Sequence, residues 1–441
     1  MKRFPHRRAP AALSSNFLRA LLIGVSLFAA RSVTAQQMPA GHVHGADSVA
    51  PRAALSVGAS AILEASVAIP GVHDRTLAEG YITQPMVMAQ LSALQSRFIA
   101  DLTLNFEGIT LDRGELNAGM YGEGYVDRRH PHTLLHEIAA TGMFGSGLSR
   151  FSVSAGKGFV PFGTDDPMSR PFVKYPVNHH LAQLLERAFV GASFRSGHVG
   201  LEVASFNGDE PQSAYDMPNW DRFADSWSAR VTGYQGGLEV QGSVAHVESP
   251  EQPRGGGLDH RKLSGSVRYQ SGNGYGLVEF AKTKELDGAT TAFTFNSALA
   301  EGSFTRNAVT FALRAERTER PEEERLVNVF RTPRPHSDLS ILGRTRWDVL
   351  SIAASRSYVI RRMGAVAPFV EVSTQRPRAI VRPTVFEPAQ FYGAERLWSF
   401  SAGARLGLGM RHSRMGRYGT ATSHQMHSMK KADDHSNMDM E

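Results

Sequence analysis

The 441-residue chain contains no cysteine. That excludes a disulfide framework and a lipid-modified cysteine anchor. Beyond residue 35 there is no run of about 20 apolar residues, which excludes a bundle of membrane-spanning helices. No phosphate-cradling glycine loop, no Gly-x-Ser-x-Gly nucleophile elbow and no dinucleotide fingerprint is present. Pairs such as Gly122-Glu123-Gly124 stand in strand or turn context. The chain also lacks a basic excess once its first residues are set aside. Lys2, Arg3, Arg7, Arg8, Arg19 and Arg31 carry the early positive charge with no acid among them, so the 48 basic residues fall to 42, against 42 acidic. Without a basic stripe, nucleic acid is not an expected partner.

What is present begins with an export signal. The early basic residues precede an apolar core, Ala20 to Ala30, and Val33-Thr34-Ala35 supplies small residues before Gln36. This pattern predicts a signal peptide over 1–35. Residues 36–52 are polar and broken by Pro and Gly, as in a flexible periplasmic leader.

From residue 53 the pattern has period 2. In Arg97–Glu107, Phe98, Ala100, Leu102, Leu104 and Phe106 share one face, and Arg97, Asp101, Thr103, Asn105 and Glu107 share the other. Eleven tilted residues at about 3.3 Å each cross a hydrocarbon layer. The alternation recurs near 151–155, 263–269, 311–316, 366–373 and 400–410. Turn signals stand at Gly236-Gly237 and Ser271–Gly274, and longer polar stretches at 207–225, 249–261, 317–338 and 374–396. Export, alternation and short turns opposed to long loops predict an all-β fold: a closed antiparallel transmembrane β-barrel over 53–411, with about 16 strands. A soluble exported β protein is the alternative, because half-buried strands alternate there too. One segment departs from period 2. Leu181, Leu184, Leu185 and Ala188 have helical spacing, which predicts a short loop helix over His179–Arg187, either on the surface or folded into the barrel.

Two histidine groups are candidate metal sites. His130, His132 and His136 lie close in sequence, with Glu137 beside them. The order is not that of a zincin helix, and Pro131 favours a turn into a strand. On that strand His132, Leu134, His136 and Ile138 share a face while Glu137 points to the other. A metallohydrolase using the three histidines is one reading; a polar turn is the other. Residues 412–441 lack periodicity and are dense in His, Met and Asp, which predicts a disordered tail. There His424, Met426, His427, Met429 and His435 suit Cu(I) or Ag(I) through thioether sulfur, and Cu or Zn through imidazole. A barrel-anchored envelope protein that handles copper or silver is therefore an alternative function.

Gly156-Lys157-Gly158-Phe159-Val160-Pro161-Phe162-Gly163 resembles the Pro-Phe-Gly-ending segment of the phosphate-selective porins of the O and P family. The resemblance covers roughly 95–210. It implies an outer-membrane barrel, passive diffusion of small hydrophilic and often anionic solutes without covalent chemistry, and a homotrimer, for which no interface is legible. That family's phosphate selectivity rests on lysine arrays, and this chain has no lysine run. Residues 301–400 hold 16 arginines, 11 acidic residues and no lysine, a surface suited to lipopolysaccharide phosphates. The expected lumen contacts are Lys157, Lys174, Arg268, Arg314, Arg344 and Arg346, with Glu107, Glu316 and Asp348 as counter-charges. An even strand number places both termini in the periplasm.

Overall fold

A strand whose side chains alternate between apolar and polar serves two solvents at once, and closing the sheet gives each its own compartment. The computed structural model describes residues 53–69, 76–111, 132–164, 167–211, 213–323, 341–360, 364–380, 386–409 and 414–422. All belong to one compact unit, Val49–Glu441. The expected signal peptide and leader lie outside the described residues.

The strands are β1 (Ala53–Ile69), β2 (Leu77–Ala93), β3 (Phe98–Asn105), β4 (Leu135–Ser146), β5 (Ser149–Gly158), β6 (Arg187–Ser196), β7 (Val199–Phe206), β8 (Ser226–Gln235) and β9 (Leu238–Val247). They continue as β10 (Asp259–Ser271), β11 (Gly274–Asp287), β12 (Thr290–Arg306), β13 (Val309–Glu323), β14 (Ile341–Arg356), β15 (Tyr358–Ile360), β16 (Gly364–Ala379) and β17 (Leu397–Gly409). Neighbours pair antiparallel, and β17 returns to β1, from Gly58 opposite Gly409 to Ile69 opposite Trp398. β14 and β15 are one line interrupted at Ser357, because Ser355 faces Phe369 and Tyr358 faces Val366 in a single register on β16. The chain therefore forms a closed antiparallel barrel of 16 staves.

Short turns at 94–97, 147–148, 197–198, 236–237, 272–273 and 307–308 gather at one end, where β1 also begins and β17 finishes. The longer connections 159–186, 207–225 and 248–258 lie at the other. β13 and β16 run to Glu323 and Ala379, so parts of the stretches expected as loops are strand.

The outside of the barrel is apolar across a band. Val153, Leu201, Leu263, Leu313 and Ile352 are exposed there. Phe144, Phe151, Phe194, Tyr269, Phe304 and Phe311 are exposed close to the short turns, and Trp227 and Trp398 near the long-connection end. Two aromatic belts around an apolar band are what a lipid bilayer selects, because these rings settle at the headgroup level.

The upper edge of the band is marked by charge. Ala315 faces Leu350, and one step on Arg317 faces Asp348, its Nε 2.6 Å from Oδ1. This position corrects an expectation. Arg344, Arg346 and Asp348 stand on the outer face, while Thr345, Trp347 and Val349 are buried inside. β14 extends past the hydrocarbon, and beyond it a charged residue no longer marks the wet interior.

Three further expectations are corrected. The register of β3 on β4 shifts after Thr103, which faces Glu137 while Leu104 faces Leu135. The β-bulge leaves His136 as the extra residue, and both His136 and Glu137 are buried inside rather than on opposite faces. The helix at His179 is one turn, His179–Ala182, followed by non-helical chain, and it lies inside the barrel. Residues 414–422, expected in a disordered tail, fold back into the lumen, where Met415, Arg417, Thr420 and Ala421 are buried.

The orientation is testable. Leu313→Arg places a cation on the lipid face and is expected to cost about 2–4 kcal/mol. Arg346→Leu, beyond the hydrocarbon, is expected to shift stability by about 0.5 kcal/mol or less. Urea unfolding of the detergent-solubilised barrel measures both.

Candidate functional site: the crossing loop and the filled lumen

The connection 159–186 enters the barrel. Phe159, Val160, Phe162 and Leu184 are buried, and three of them pack on Ala139, Phe189, Phe206, Ala245 and Val247 of the wall. Each such side chain contributes about 1.5–3 kcal/mol by leaving water. Gly163 has φ +72°, and a Cβ there would collide with the Ala182 carbonyl; only glycine lets the two limbs of the loop touch. Farther on, Phe172 packs on Ala312 and Ala353, and Val173 on Ile62 and Phe369. The loop thus reaches from β5 and β6 to the wall formed by β1, β13, β14 and β16.

A backbone without a sheet partner must find hydrogen bonds elsewhere. The wall supplies them. Glu371 accepts from the amides of Val173 and of Lys174, the latter at 3.3 Å. Glu316 accepts from Val177 N at 2.8 Å. Glu279 accepts from Arg170 at 3.1 Å and from Asn178 Nδ2 at 2.9 Å. Carbonyls are met by wall cations: Arg314 donates to Lys174 O at 2.9 Å, Lys262 to His180 O at 2.7 Å, and Arg405 to Arg170 O and Pro171 O at 3.2 and 3.0 Å. Arg314 also holds Glu301 at 2.7 Å and lies 4.2 Å from the Phe172 ring centre. Lys174 Nζ lies 3.6 Å from Glu64. Buried charges tolerate this position only when paired, so the network fixes where the loop lies.

The foot of the loop is Glu186. Its backbone is left-handed, φ 52°, a strained state for this residue. Its carboxylate accepts from Thr133 N at 2.9 Å and meets His136 Nδ1 at 2.7 Å and Lys157 Nζ at 3.5 Å. Lys157 also donates to Thr133 Oγ1, and to Leu135 O at 2.6 Å. Beside it, His132 Nδ1 lies 2.8 Å from Glu107, and the two imidazole centres are 5.0 Å apart. Burial pushes both carboxyls up, but the facing imidazoles outweigh it and hold Glu107 and Glu186 at about 2.

The second occupant is the segment 414–422. Arg414 forks onto Glu239 at 2.6 and 2.8 Å. Arg417 reaches Glu239 at 2.9 Å and Glu202 at 3.4 Å. Tyr418 donates to Glu137 at 2.8 Å and accepts from Phe159 N at 3.2 Å. Burial, then the adjacent Glu137, push the Tyr418 phenol up, keeping its proton on. Thr420 lies 2.6 Å from Ser193 through their hydroxyls. A Cβ on Gly158 would strike the Tyr418 hydroxyl, so this glycine of the Pro-Phe-Gly-ending segment makes room for the chain end.

Of the expected lumen residues, Lys157, Lys174, Arg314 and Glu316 lie inside and engage the loop or its foot, and Glu107 pairs with His132 beside the foot. Arg268 shares the inward face of Ser264 and Ser266 near the short-turn end, 5.6 Å from the Tyr275 ring centre. Glu202, Arg230 and Glu239 were not singled out, although period 2 marks them, each flanked by an exposed outward residue such as Leu201, Val231 or Val240. A cavity of about 160 Å³ opens by the loop foot, lined in part by Lys157, Glu186, Asp209 and Asp216. Among the described residues no group of three or more His, Asp or Glu is arranged to hold a metal ion. His130 and the tail candidates His424, Met426, His427, Met429 and His435 lie outside the described residues.

No family model matches the chain, and no curated protein does. Solved structures similar to it include OmpT, an outer membrane protein of Vibrio cholerae in trimer form, with 9% identity, a TM-score of 0.47, and coverage of 80% of this chain and 99% of that one. An anion-selective porin from Comamonas acidovorans has 8% identity, a TM-score of 0.47, and coverage of 80% and 99%. The outer membrane channel DcaP of Acinetobacter baumannii has 9% identity, a TM-score of 0.47, and coverage of 83% and 100%. At such identities and overlaps no function passes to this chain, and the barrel is read from its own strand pairing.

The loop foot has a pH signature. A carboxyl depressed from 4.5 to about 2 adds stability above its unfolded value and loses it as pH falls toward 2. The melting of heat-modifiable migration in the native protein is expected to drop across that window. Glu186→Gln, which leaves a buried charge unpaired, is expected to cost about 3–5 kcal/mol at neutral pH and to flatten that drop. An unchanged acid profile in the variant would remove Glu186 from the anchor.

Proposed function

We propose that the chain is an outer-membrane channel for passive diffusion of small hydrophilic solutes, narrowed by the loop 159–186. The observation that carries this reading is the division of one closed sheet into an apolar, aromatic-belted outside and a polar inside. A 16-stave barrel is wide enough to hold an aqueous passage. Hydroxyls (Ser152, Ser154, Ser193, Ser228, Ser264) and paired charges face that inside, Ser152 and Ser193 beneath the docked segment 414–422. The end that carries the short turns and both ends of the strand series faces the periplasm in this reading, and the charged rim at Arg317, Arg344 and Arg346 faces lipopolysaccharide.

The passage selects by charge at its constriction. An anionic preference would rest on Lys157 and Lys174, and carboxylates stand beside both, Glu186 and Glu64. The reading therefore assigns no strong preference for anions at the loop. Planar-bilayer recording tests it on the full chain and on the Arg414→Ala/Arg417→Ala variant. Stepwise, ohmic currents are expected from at least the variant. Protein that inserts and yields no steps in either form would defeat the channel reading.

A further inference from the structure

We propose that Glu202, Glu239 and Gln241 form a guanidinium-binding site in the lumen, filled here by the chain's own Arg414 and Arg417, for which a small guanidinium-bearing solute competes. The inference rests on the channel reading for the solute's route, but not for the site.

The site is built into the wall. Glu202 on β7 and Glu239 and Gln241 on β9 alternate with exposed Leu201, Val203, Leu238 and Val240, so the pleat directs all three inward. Arg230 on β8 forks onto Glu202 at 2.7 and 2.6 Å. Among the described residues, the guanidiniums on Glu239 come from the segment 414–422. Arg414 meets both carboxylate oxygens, at 2.6 and 2.8 Å. Arg417 adds contacts to Glu239 at 2.9 Å, Thr232 Oγ1 at 3.3 Å and Gln241 Oε1 at 3.4 Å. Two parallel N–H donors on one carboxylate match a planar guanidinium and not a compact ammonium. Gln241 is 5% exposed and presents its Oε1 to the guanidinium.

The occupant is suited to exchange. Among the described residues, two carboxylates and one wall guanidinium make the bare site net negative, and the docked segment brings two more guanidiniums to the two carboxylates. Burial, then the neighbouring Arg230 and Arg414, depress the Arg417 guanidinium, a like-charge repulsion that a single incoming guanidinium would relieve. The segment has one turn of regular structure, Gly419–Ala421, and its other polar anchors include Tyr418 on Glu137, Thr420 on Ser193 and Gly416 O on Arg230. The site lies toward the short-turn end, in series with the crossing loop.

The absence of cysteine makes a trap possible. In a Thr420→Cys/Ser193→Cys variant, whose parent hydroxyls are 2.6 Å apart, a disulfide is expected to form in folded, heat-modifiable protein when oxidised glutathione is added and takes up the two electrons as two reduced glutathiones. Free arginine is expected to slow its formation about tenfold near saturation, by mass action on the undocked state. Citrulline, the neutral isostere, is expected to leave the rate unchanged. Equal rates with arginine and citrulline would overturn the ligand assignment, and no disulfide in folded protein would overturn the docking. Should the double variant fail to fold, maleimide labelling of Thr420→Cys gives the same test: slow alone, faster with arginine, unaltered by citrulline. These readouts need no current, so a barrel that never conducts would defeat the channel reading and leave this site standing.

Discussion

The arrangement depends on one interaction: carboxylates on the inner wall accepting hydrogen bonds from the backbone amides of a loop that has left the sheet. Where the loop is pressed against the wall and water is excluded, as at Val173, Lys174 and Val177, an unsatisfied amide costs free energy comparable to a lost hydrogen bond. Glu371 and Glu316 take the amides of Val173, Lys174 and Val177, and Arg314, Lys262 and Arg405 take loop carbonyls. Buried charges would be expensive in an apolar core; here they face a polar compartment and a backbone that needs them. The apolar contacts of Phe159, Phe162, Phe172 and Val173 add burial energy, and the charges set position.

The same logic is used again at the chain end. Arg414, Arg417 and Tyr418 bring donors to Glu239, Glu202 and Glu137. The loop is held mainly through its backbone and the terminal segment mainly through side chains. Backbone anchoring is indifferent to sequence and suits a fixed constriction. Side-chain anchoring through guanidinium forks is chemically specific, and another molecule can reproduce it.

Much of the barrel was legible from period 2, because each membrane strand reports its two solvents along its length. The hairpin turns at 236–237 and 272–273 are marked by their glycines, and the expectation of about 16 strands follows from the chain length that each strand and its connections consume. Legibility ends where the two-solvent rule ends. Arg344, Arg346 and Asp348 lie above the hydrocarbon, where the outer face is as wet as the lumen. His136 sits on a bulge, where two successive side chains share a face. Leu184 and Leu185 have helical spacing yet pack as neighbours in non-helical chain, Leu184 with Phe162 and Phe206 and Leu185 against Met86 and Phe159. The docking of 414–422 depends on pairs such as Arg417 with Glu202, 215 positions apart, and no local pattern carries such a distance.

The central claim is that wall carboxylates hold the loop backbone across the lumen, and amide hydrogen exchange reads those bonds directly. In the detergent-solubilised barrel, the amides of Val173, Lys174 and Val177 are expected to exchange as slowly as those of the adjoining strands, and Glu371→Gln/Glu316→Gln is expected to release all three. Exchange of these amides in the native protein as fast as at the exposed connection 213–219 would contradict the account.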